Sequence, residues 1–429
     1  MMSTRFTTTW KSEIQAPCAL LLSGNTYDSA RRSFLCRHPI EEIVISGERA
    51  EHRSHKGVKK LEGVNPWEAL KRLITLTRDD AVPEWVGYFA YEMGAFADYD
   101  RPMPYIGGNL PDARFVRYAN VIEYDHHDDH EKEYVRSAVT EILPYDERTS
   151  VTDSLTCIRQ LANRQDYKNN IEAAKELIRL GEVYQVNLSQ QVICQGSYDP
   201  AAFFIKLHEH NPAPFSAYLN YGTQVVVSSS PERFLSCTGG TLETRPIKGT
   251  MPRGVTPEED RQNMHQLLQS EKERSELLMI TDLMRNDLAK ISIPGTVATE
   301  KIWQCEAYTN VFHLLSIITS ALEPSVHPVD AVRSCFPAGS ITGCPKLRSM
   351  EAIAAIEKRR RGIYTGAIGY FAGNGDFDFN VAIRTLCCHG DQVDLQLGGA
   401  IVIDSDPDRE YDETLHKGES LFKTLGCCI

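Results

Sequence analysis

Lys248 lies in the run Glu243–Thr250, ETRPIKGT, where the backbone could hold its amine in one place. Pro246 fixes its own φ and biases Arg245 toward extended geometry, and Gly249 permits a close approach of the backbone. A lysine attacks carbon only when it is deprotonated, so its pKa of about 10.4 must fall through desolvation or a nearby cation such as Arg245. The run predicts either a nucleophilic lysine or a solvated turn.

Two pairs of glutamates share a spacing of three residues, Glu273 with Glu276 and Glu410 with Glu413. On a helix, each pair would lie on one face. Brought together, the two pairs would offer the oxygen donors that magnesium prefers. The spacing alone is weak evidence, because a chain with 58 acidic residues contains many such pairs on solvated helix faces.

Several single residues have both a chemical and a structural interpretation. Glu232, in SSSPERF, could be a general acid or a surface glutamate at a strand end. His313, in YTNVFHLLS, could belong to an active site or be a satisfied core histidine. Arg384, in VAIRT, could clamp a carboxylate or form a structural ion pair. The hydroxyls of Tyr364 and Thr365 could join such a site or cap a strand.

Two further patterns are less specific. The run Gly339–Lys346, GSITGCPK, leads into a predicted helix and could bind an anion, although it is not a Walker A sequence. His126, His127 and His130 fall in an acidic segment; a solvated surface run is favoured there over a metal site, because the segment supplies no further cysteine or histidine.

The elements that must position these residues do not alternate in strict βαβ order, which favours an α+β fold. Helices are predicted at Asp166–Leu180, Pro257–Ala289 and Lys346–Arg359, with many strands between them. The polar, turn-rich segment Pro144–Ser154 predicts a boundary between an N-terminal domain of residues 1–150 and a catalytic domain of residues 151–429.

Composition excludes several functional classes. The 429 residues are 42% hydrophobic and 24% charged, as in soluble globular proteins. A net charge of −12 argues against nucleic-acid binding, since the densest basic run is only Lys358–Arg361. Neither a signal peptide nor an apolar run of membrane-spanning length is found, so we expect a cytoplasmic protein without membrane contact. The scattered cysteines predict reduced thiols.

Taken together and in order, these stretches resemble the chorismate-utilising enzymes, which include the large subunits of anthranilate synthase and aminodeoxychorismate synthase. The resemblance runs from about Asp166 to Lys417, with weaker support from GYFAYE. It is carried by GEVYQVNLSQ, NPAPFSAYL, SSSPERF, ETRPIKGT, EKERSELLMITDLMRNDL, FPAGSITGCPK, RRGIYTGAIGYF, VAIRT and DSDPDREYDETLHK. It implies an α/β sandwich with large mixed or antiparallel sheets flanked by helices, and a cleft that binds magnesium and chorismate.

The resemblance also implies a role for each candidate. Glu276 and Glu413 correspond to magnesium ligands, and Glu273 and Glu410 to residues that hold the metal's waters. Glu232 corresponds to the acid that protonates the departing hydroxyl at carbon 4, and His313 to the active-site histidine. The residues that correspond to substrate-binding positions are Gly249, Thr250, Thr342, Tyr364, Arg384, Gly398 and Gly399.

Two positions separate the branches of the family. The water-activating lysine of isochorismate and salicylate synthases matches Gln185 here, which disfavours a water-adding enzyme. Anthranilate synthases typically read PIAGT where this chain has Lys248, and a lysine there marks the aminodeoxychorismate synthases. The resemblance thus implies attack by the amine on carbon 2 with loss of the 4-hydroxyl, followed by addition of ammonia at carbon 4. An anthranilate synthase large subunit and a catalytically silent binding subunit stay open as alternatives.

Partners and regulation follow from the same resemblance. The sequence contains no glutaminase or lyase motif, so we expect ammonia from a separate glutaminase subunit and a downstream aminodeoxychorismate lyase. Leu277 and Ala400 depart from the family pattern, which has a polar residue and a third glycine at these positions. Ser23, Pro214 and Phe215 form a candidate tryptophan site, although LLLSG lacks the acidic residue of the feedback motif in anthranilate synthases.

Overall fold

The computed structural model describes residues 4–23, 31–98, 100–101, 103–137, 142–145, 154–160 and 163–426. Its strands are β1 (Cys18–Leu22), β2 (Arg32–Ser46), β3 (Arg49–Ser54), β4 (Gly57–Glu62), β5 (Pro83–Phe89), β6 (Ala113–Asp125), β7 (His130–Val135), β8 (Ser154–Gln160), β9 (Gln185–Ser197), β10 (Phe215–Asn220), β11 (Gln224–Ser230), β12 (Arg233–Thr238), β13 (Thr241–Thr244), β14 (Ile247–Pro252), β15 (Ala298–Ala307), β16 (Val311–Ala321), β17 (Gly343–Cys344), β18 (Ala367–Ala372), β19 (Phe377–Val381), β20 (Thr385–His389) and β21 (Gln392–Ile401). Its α-helices are α1 (Thr4–Glu13), α2 (Pro66–Leu73), α3 (Arg164–Arg179), α4 (Pro200–His210), α5 (Pro257–Gln269), α6 (Glu271–Ala289), α7 (Pro328–Cys335), α8 (Lys346–Glu357) and α9 (Pro407–Leu425).

The strands join into one hydrogen-bonded network of antiparallel pairs. Strand β1 pairs with β10, and β5 pairs with β18, so strands from the first 150 residues lie beside strands from the rest of the chain. The proposed boundary at Pro144–Ser154 falls mostly outside the described residues, and the division into two domains stays a prediction.

An inner core lies between two parts of this network. In β5, alternate side chains point to opposite faces of the sheet, as the period of two requires. Val86 and Tyr88 pack inward, in the same cluster as Ala217 and Leu219 of β10. The two strands therefore face each other across the interior, which makes the arrangement a sandwich.

Helices cover the outer faces. The other side chains of β5, Trp85 and Phe89, pack outward in one cluster with Trp67 of α2. On the opposite side, Phe204 of α4 and Leu421 of α9 belong to a second outer cluster with β10 and β21. This architecture confirms the expected α+β class, with large antiparallel sheets flanked by helices. No α-helix in the described ranges is both long and apolar enough to cross a membrane.

One predicted helix is divided in the structure. The periodic pattern of Pro257–Ala289 predicts a single helix, but Ser270 separates α5 from α6. Ser270 has extended φ and ψ angles, and its side chain accepts a hydrogen bond from the backbone N–H of Glu273, so it caps the second helix. The break sets the direction of α6, which carries Glu273 and Glu276.

Candidate active site

Lys248 projects from β14 beside an irregularity in the sheet. Strand β14 pairs with β16, and Thr250 lies opposite His313, while Gly249 has no partner residue in the register. Gly249 has a φ of 76°, and a Cβ there would lie 3.1 Å from Oε2 of Glu273. A glycine is therefore required for this bulge, which brings Lys248 toward the start of α6.

The surroundings of Lys248 favour its neutral form. The side chain is half-buried, and burial lowers the pKa of Lys248. The carboxylates of Glu276, Glu232 and Glu273 oppose this shift, while the ammonium of Lys417 adds to it. The net pKa of Lys248 lies below the usual value, which is the direction that a nucleophilic amine needs.

Glu232 has the properties of a proton donor. It is 4% exposed, and burial raises its pKa to about 7. A hydrogen bond from Ser340, the charge of Lys248 and the backbone N–H of Ile247, 3.5 Å from Oε1, pull this pKa down only in part. A carboxyl with a pKa near neutrality can hold a proton and release it at physiological pH.

His313 is a neutral imidazole with one open nitrogen. Burial and, to a lesser extent, the positive charge of Arg384 together lower the pKa of His313 to about 3. Its Nδ1 lies 2.9 Å from Oγ1 of Thr250. Its buried Nε2 has no hydrogen-bond partner among the described residues. A buried polar atom without a partner is uncommon, so Nε2 can serve a bound substrate.

Arg384 is a cation without an anionic partner in the described part of the chain. It has a φ of 50° at the end of the β19–β20 connection, and it is half-buried. Burial lowers the pKa of Arg384, but an arginine stays charged in proteins. No hydrogen bond or ion pair of its guanidinium is found there, so the fork is available to a carboxylate.

Tyr364 and the glycines of β21 form a second wall. A Cβ at Gly398 would lie 2.8 Å from Oη of Tyr364, and one at Gly399 would lie 3.4 Å from Oε2 of Glu410. Burial raises the pKa of Tyr364 to about 12, so its hydroxyl is a donor. The hydroxyl of buried Thr342 donates to the Ala338 carbonyl at 2.7 Å, which gives it a role in the shape of its own turn.

The four candidate metal ligands form one electrostatic cluster. Burial raises the pKa of Glu276, and Glu273 and Glu413 raise it further. The pKa of Glu410 is raised by burial and by Glu413. Lys417 contacts Glu413 at 2.7 Å and, against the effect of burial, lowers the pKa of that carboxyl.

This cluster fits magnesium in its chemistry. Carboxylates that raise one another's pKa lie close together, and a divalent cation would relieve their repulsion. In the conformation described, however, no three His, Cys, Asp or Glu side chains of residues 4–426 outside the gaps converge closely enough to hold a metal. The two glutamate pairs therefore offer the right donors but would have to move closer together around an ion.

The acidic segment with three histidines lies apart from this cluster. His127 and His130 are exposed, while His126 contacts Ser33 at 2.7 Å.

Two neighbours of the site are not evident from the residue types alone. Lys417 lies four residues after Glu413 on α9, and this spacing on one helix face could have indicated it. Ser340 bonds Glu232 from the Gly339–Lys346 run, which the sequence identified only as an anion loop. The lysine of that run bonds Asp287 and the Cys335 carbonyl instead, so it has a structural role.

Leu277 and Ala400 have clear surroundings in the structure. Leu277 is fully buried and packs in an apolar cluster with Phe312 and Leu314, which explains the absence of a polar side chain. Ala400 lies opposite Asn187 in the β21–β9 pair.

The candidate tryptophan residues line a separate cavity. Ser23, Pro214 and Phe215 surround a volume of about 250 Å³, together with Arg233 and Asp378. This cavity includes none of the residues gathered around Lys248. A charged pair and an aromatic ring suit a zwitterionic amino acid, and tryptophan binding stays a prediction.

The sequence of the chain is similar to those of known proteins. Residues 18–423 match the family model of chorismate binding enzymes. "Aminodeoxychorismate synthase component 1" of Escherichia coli is 41% identical over 262 residues, which are 61% of this chain and 58% of that protein. "Anthranilate synthase component 1 1" of Haloarcula marismortui is 42% identical over 262 residues, covering 61% and 54%.

The fold has a solved counterpart. The crystal structure of anthranilate synthase component I from Streptococcus pneumoniae superposes with a TM-score of 0.78 and 26% identity, covering 93% of this chain and 95% of that one. The chain covers a smaller share of its curated relatives. It spans between 28% and 58% of the length of four of them, which include the Escherichia coli protein.

Proposed function

The chain belongs to the family of chorismate-binding enzymes, and we propose that it is the large, chorismate-converting component of an aminodeoxychorismate synthase. The observation that carries this proposal is the position of Lys248, half-buried on β14 with a lowered pKa and electrostatically coupled to Glu232 and Glu276. Relatives named aminodeoxychorismate synthase component 1 support it.

In the proposed reaction, the neutral amine of Lys248 attacks carbon 2 of chorismate. A nitrogen–carbon bond forms, the ring double bond shifts, and the carbon–oxygen bond at carbon 4 breaks. Glu232 gives its proton to the departing hydroxyl, which leaves as water. Ammonia then adds at carbon 4, and the bond from carbon 2 to Lys248 breaks, which yields 4-amino-4-deoxychorismate. A proton passes from the incoming nitrogen to Glu232, which is thereby restored.

The other residues hold the substrate during these steps. Arg384 and Tyr364 would bind carboxylate oxygens, because one is a guanidinium with no ion pair among the described residues and the other a protonated hydroxyl beside Gly398. Nε2 of His313 would contact the ring. Glu276 and Glu413, with Glu273 and Glu410, would hold magnesium, which when bound supplies a positive charge against the substrate carboxylate.

The proposal includes the source of ammonia and the fate of the product. A separate glutaminase subunit would supply ammonia, and a lyase acting afterwards would release 4-aminobenzoate for folate synthesis. We expect both steps in the cytoplasm.

Gln185 is fully buried on β9. Its amide is not a base, which disfavours the water-adding branch of the family.

Anthranilate synthase is the second candidate, favoured by the relative from Haloarcula and by the Streptococcus structure. One assay separates the two functions: chorismate, magnesium and ammonium with the purified chain. We expect no fluorescent anthranilate, and 4-aminobenzoate once aminodeoxychorismate lyase is added. Anthranilate formed without the lyase would overturn the proposal. No turnover under any of these conditions would favour a silent binding subunit.

A further inference from the structure

In the basic run Lys358–Arg361, Lys358 is exposed, but the three arginines are folded into the protein. Arg361 is 2% exposed, and Arg359 and Arg360 are half-buried. An arginine is almost never fully buried unless acceptors or anions pair with it. The partners of this run connect the end of β5 to the wall of the candidate site that contains Tyr364.

The first partner is Glu92, which follows β5 and is 6% exposed. Its Oε1 accepts a 2.8 Å hydrogen bond from the backbone N–H of Arg361, and its Oε2 accepts a 3.0 Å bond from that of Gly362. Nε of Arg360 lies 3.4 Å from the same Oε2. The N–H of Tyr91 donates to the Gly362 carbonyl at 2.8 Å, so the end of β5 binds both sides of this peptide segment.

The second set of partners lies on β9 and at the end of α8. Nη2 of Arg361 donates to the Asn187 carbonyl at 2.7 Å and to Oε1 of Glu357 at 2.8 Å. The same Oε1 accepts a 2.8 Å bond from the N–H of Ser189. Ser189 lies opposite Gly398 in the sheet. The arginine therefore fixes the strand against which the glycine wall is built.

Tyr364 sits in the turn that this network holds at both ends. Its N-terminal side is bound by Glu92 through Arg361 and the next residue. On its C-terminal side, Thr365 has a φ of 60°, and its N–H donates to the Ala382 carbonyl at 2.8 Å. The Thr365 hydroxyl donates to the Tyr364 carbonyl at 2.6 Å. Movement of the Glu92 end would therefore shift the phenol.

We propose that Glu92, acting through the Arg361–Gly362 backbone, is a positioning residue that sets the Tyr364 hydroxyl beside Gly398 for binding of the substrate carboxylate. This inference rests on the function proposed above. Glu92 contacts no reacting atom; it acts by offering two acceptor oxygens to two adjacent N–H groups. Burial raises the pKa of Glu92 to about 7, against the opposing effect of Arg360, so the carboxylate form is best tested at about pH 8.

Glu92→Gln tests the arrangement with little change in volume. The amide keeps one acceptor oxygen, but its NH₂ faces the N–H of either Arg361 or Gly362. Two hydrogen-bond donors then point at each other. Glu84→Gln is the matched control. Glu84 is a glutamate of β5 that is 3% exposed, but its neighbours are Arg78 at 3.9 Å and Thr77 at 3.5 Å, away from the candidate site.

The experiment is a double-mutant cycle in KM for chorismate, measured at about pH 8 with ammonium as nitrogen source. We expect Glu92→Gln to raise KM about tenfold with kcat changed less than about threefold, the cost of one displaced hydrogen bond. In the Tyr364→Phe background, the same change should raise KM by less than about twofold, because the hydroxyl to be positioned is gone. Glu84→Gln should leave KM within about twofold.

Additive effects of Glu92→Gln and Tyr364→Phe, an unchanged KM in Glu92→Gln, or an equal rise in Glu84→Gln would each overturn the positioning role. If Glu92→Gln does not fold, Glu92→Asp replaces it in the cycle, because it keeps the charge and shortens the reach to both N–H groups. Absence of wild-type turnover would instead reject the proposed function, so the two failures are distinct.

Discussion

Arg245 donates a 2.7 Å hydrogen bond from Nε to Oε1 of Glu243, and its Nη2 contacts the second oxygen of the same carboxylate. The cation nearest to Lys248 in sequence is thereby paired away from it. After burial, the positive charge that lowers the pKa of Lys248 is Lys417, from the far helix α9. The pKa of Lys248 is therefore lowered by desolvation and by Lys417, which is distant in sequence, and not by the neighbouring Arg245.

A covalent adduct should form on Lys248. Incubation with chorismate and magnesium but without ammonia should leave a chorismate-derived mass on the wild-type chain, since no second nucleophile releases it. Lys248→Ala should show no adduct and lose at least about a hundredfold in kcat. Lys301→Ala, at an exposed position on β15, which like β14 pairs with β16, is the control and should keep the adduct. Equal adducts on wild type and Lys248→Ala would remove the nucleophilic role.

Glu232 should make stability depend on pH. A carboxyl whose pKa is raised by folding, here from about 4.5 to about 7, binds its proton more tightly in the folded state. Its stabilising contribution is full below about pH 4.5 and is lost as pH rises through about 7. Glu232→Gln should therefore match the wild type near pH 4.5 and exceed it at about pH 8, by at most about 3 kcal/mol.

Thermal and urea unfolding at the two pH values measure this difference in the free energy of unfolding. Glu271→Gln, an exposed glutamate at the start of α6, should show no such pH-dependent gain. The same Glu232→Gln protein should lose about a hundredfold or more in kcat, because the amide cannot supply the proton. A variant that is less stable than wild type at about pH 8 would contradict the raised pKa.

Magnesium should stabilise the chain through the two glutamate pairs. Relief of repulsion among Glu276, Glu413 and Glu410 predicts that magnesium raises the unfolding temperature, with a gain in the free energy of unfolding of about 2.7 kcal/mol at a hundredfold excess over Kd. Glu276→Gln should abolish most of the shift, and Glu271→Gln should retain it. Calorimetric titration with magnesium alone gives a second readout. An equal shift in both variants would place the ion elsewhere.

Local signals account for much of what the sequence predicted. The predicted helix Asp166–Leu180 agrees with α3, whose start is marked by the Asn163 cap, and Lys346–Arg359 agrees with α8 to within two residues. These helices depend on short-range rules of capping and periodicity. The residue types of Lys248 and Glu232 left a structural interpretation open for each, and only the resemblance to the chorismate-utilising enzymes implied their roles.

The remainder depends on contacts between distant segments. Ser270 ends one helix and caps the next, which periodicity alone does not distinguish from a continuous helix. The burial of Arg361 in the run Lys358–Arg361 depends on partners such as Glu92, about 270 residues earlier in the chain. Lys417 reaches Lys248 only because α9 packs beside the site. Such pairings are fixed by tertiary packing.

The charge of Arg384 should destabilise the free protein and favour the binding of chorismate. It is a half-buried cation with no ion pair in the parts of the chain described. Arg233 is also half-buried, but it binds Glu243 at 2.6 Å and Asp378 at 2.7 Å. Arg384→Met should therefore raise the unfolding temperature, because it removes an uncompensated charge, while Arg233→Met should destabilise by about 3–5 kcal/mol by leaving two carboxylates unpaired. Loss of a charged hydrogen bond should also raise KM for chorismate in Arg384→Met by about ten- to a hundredfold. Thermal unfolding and initial-rate kinetics on the same preparations test both effects. A destabilised Arg384→Met with unchanged KM would show that this arginine serves the fold and not the substrate.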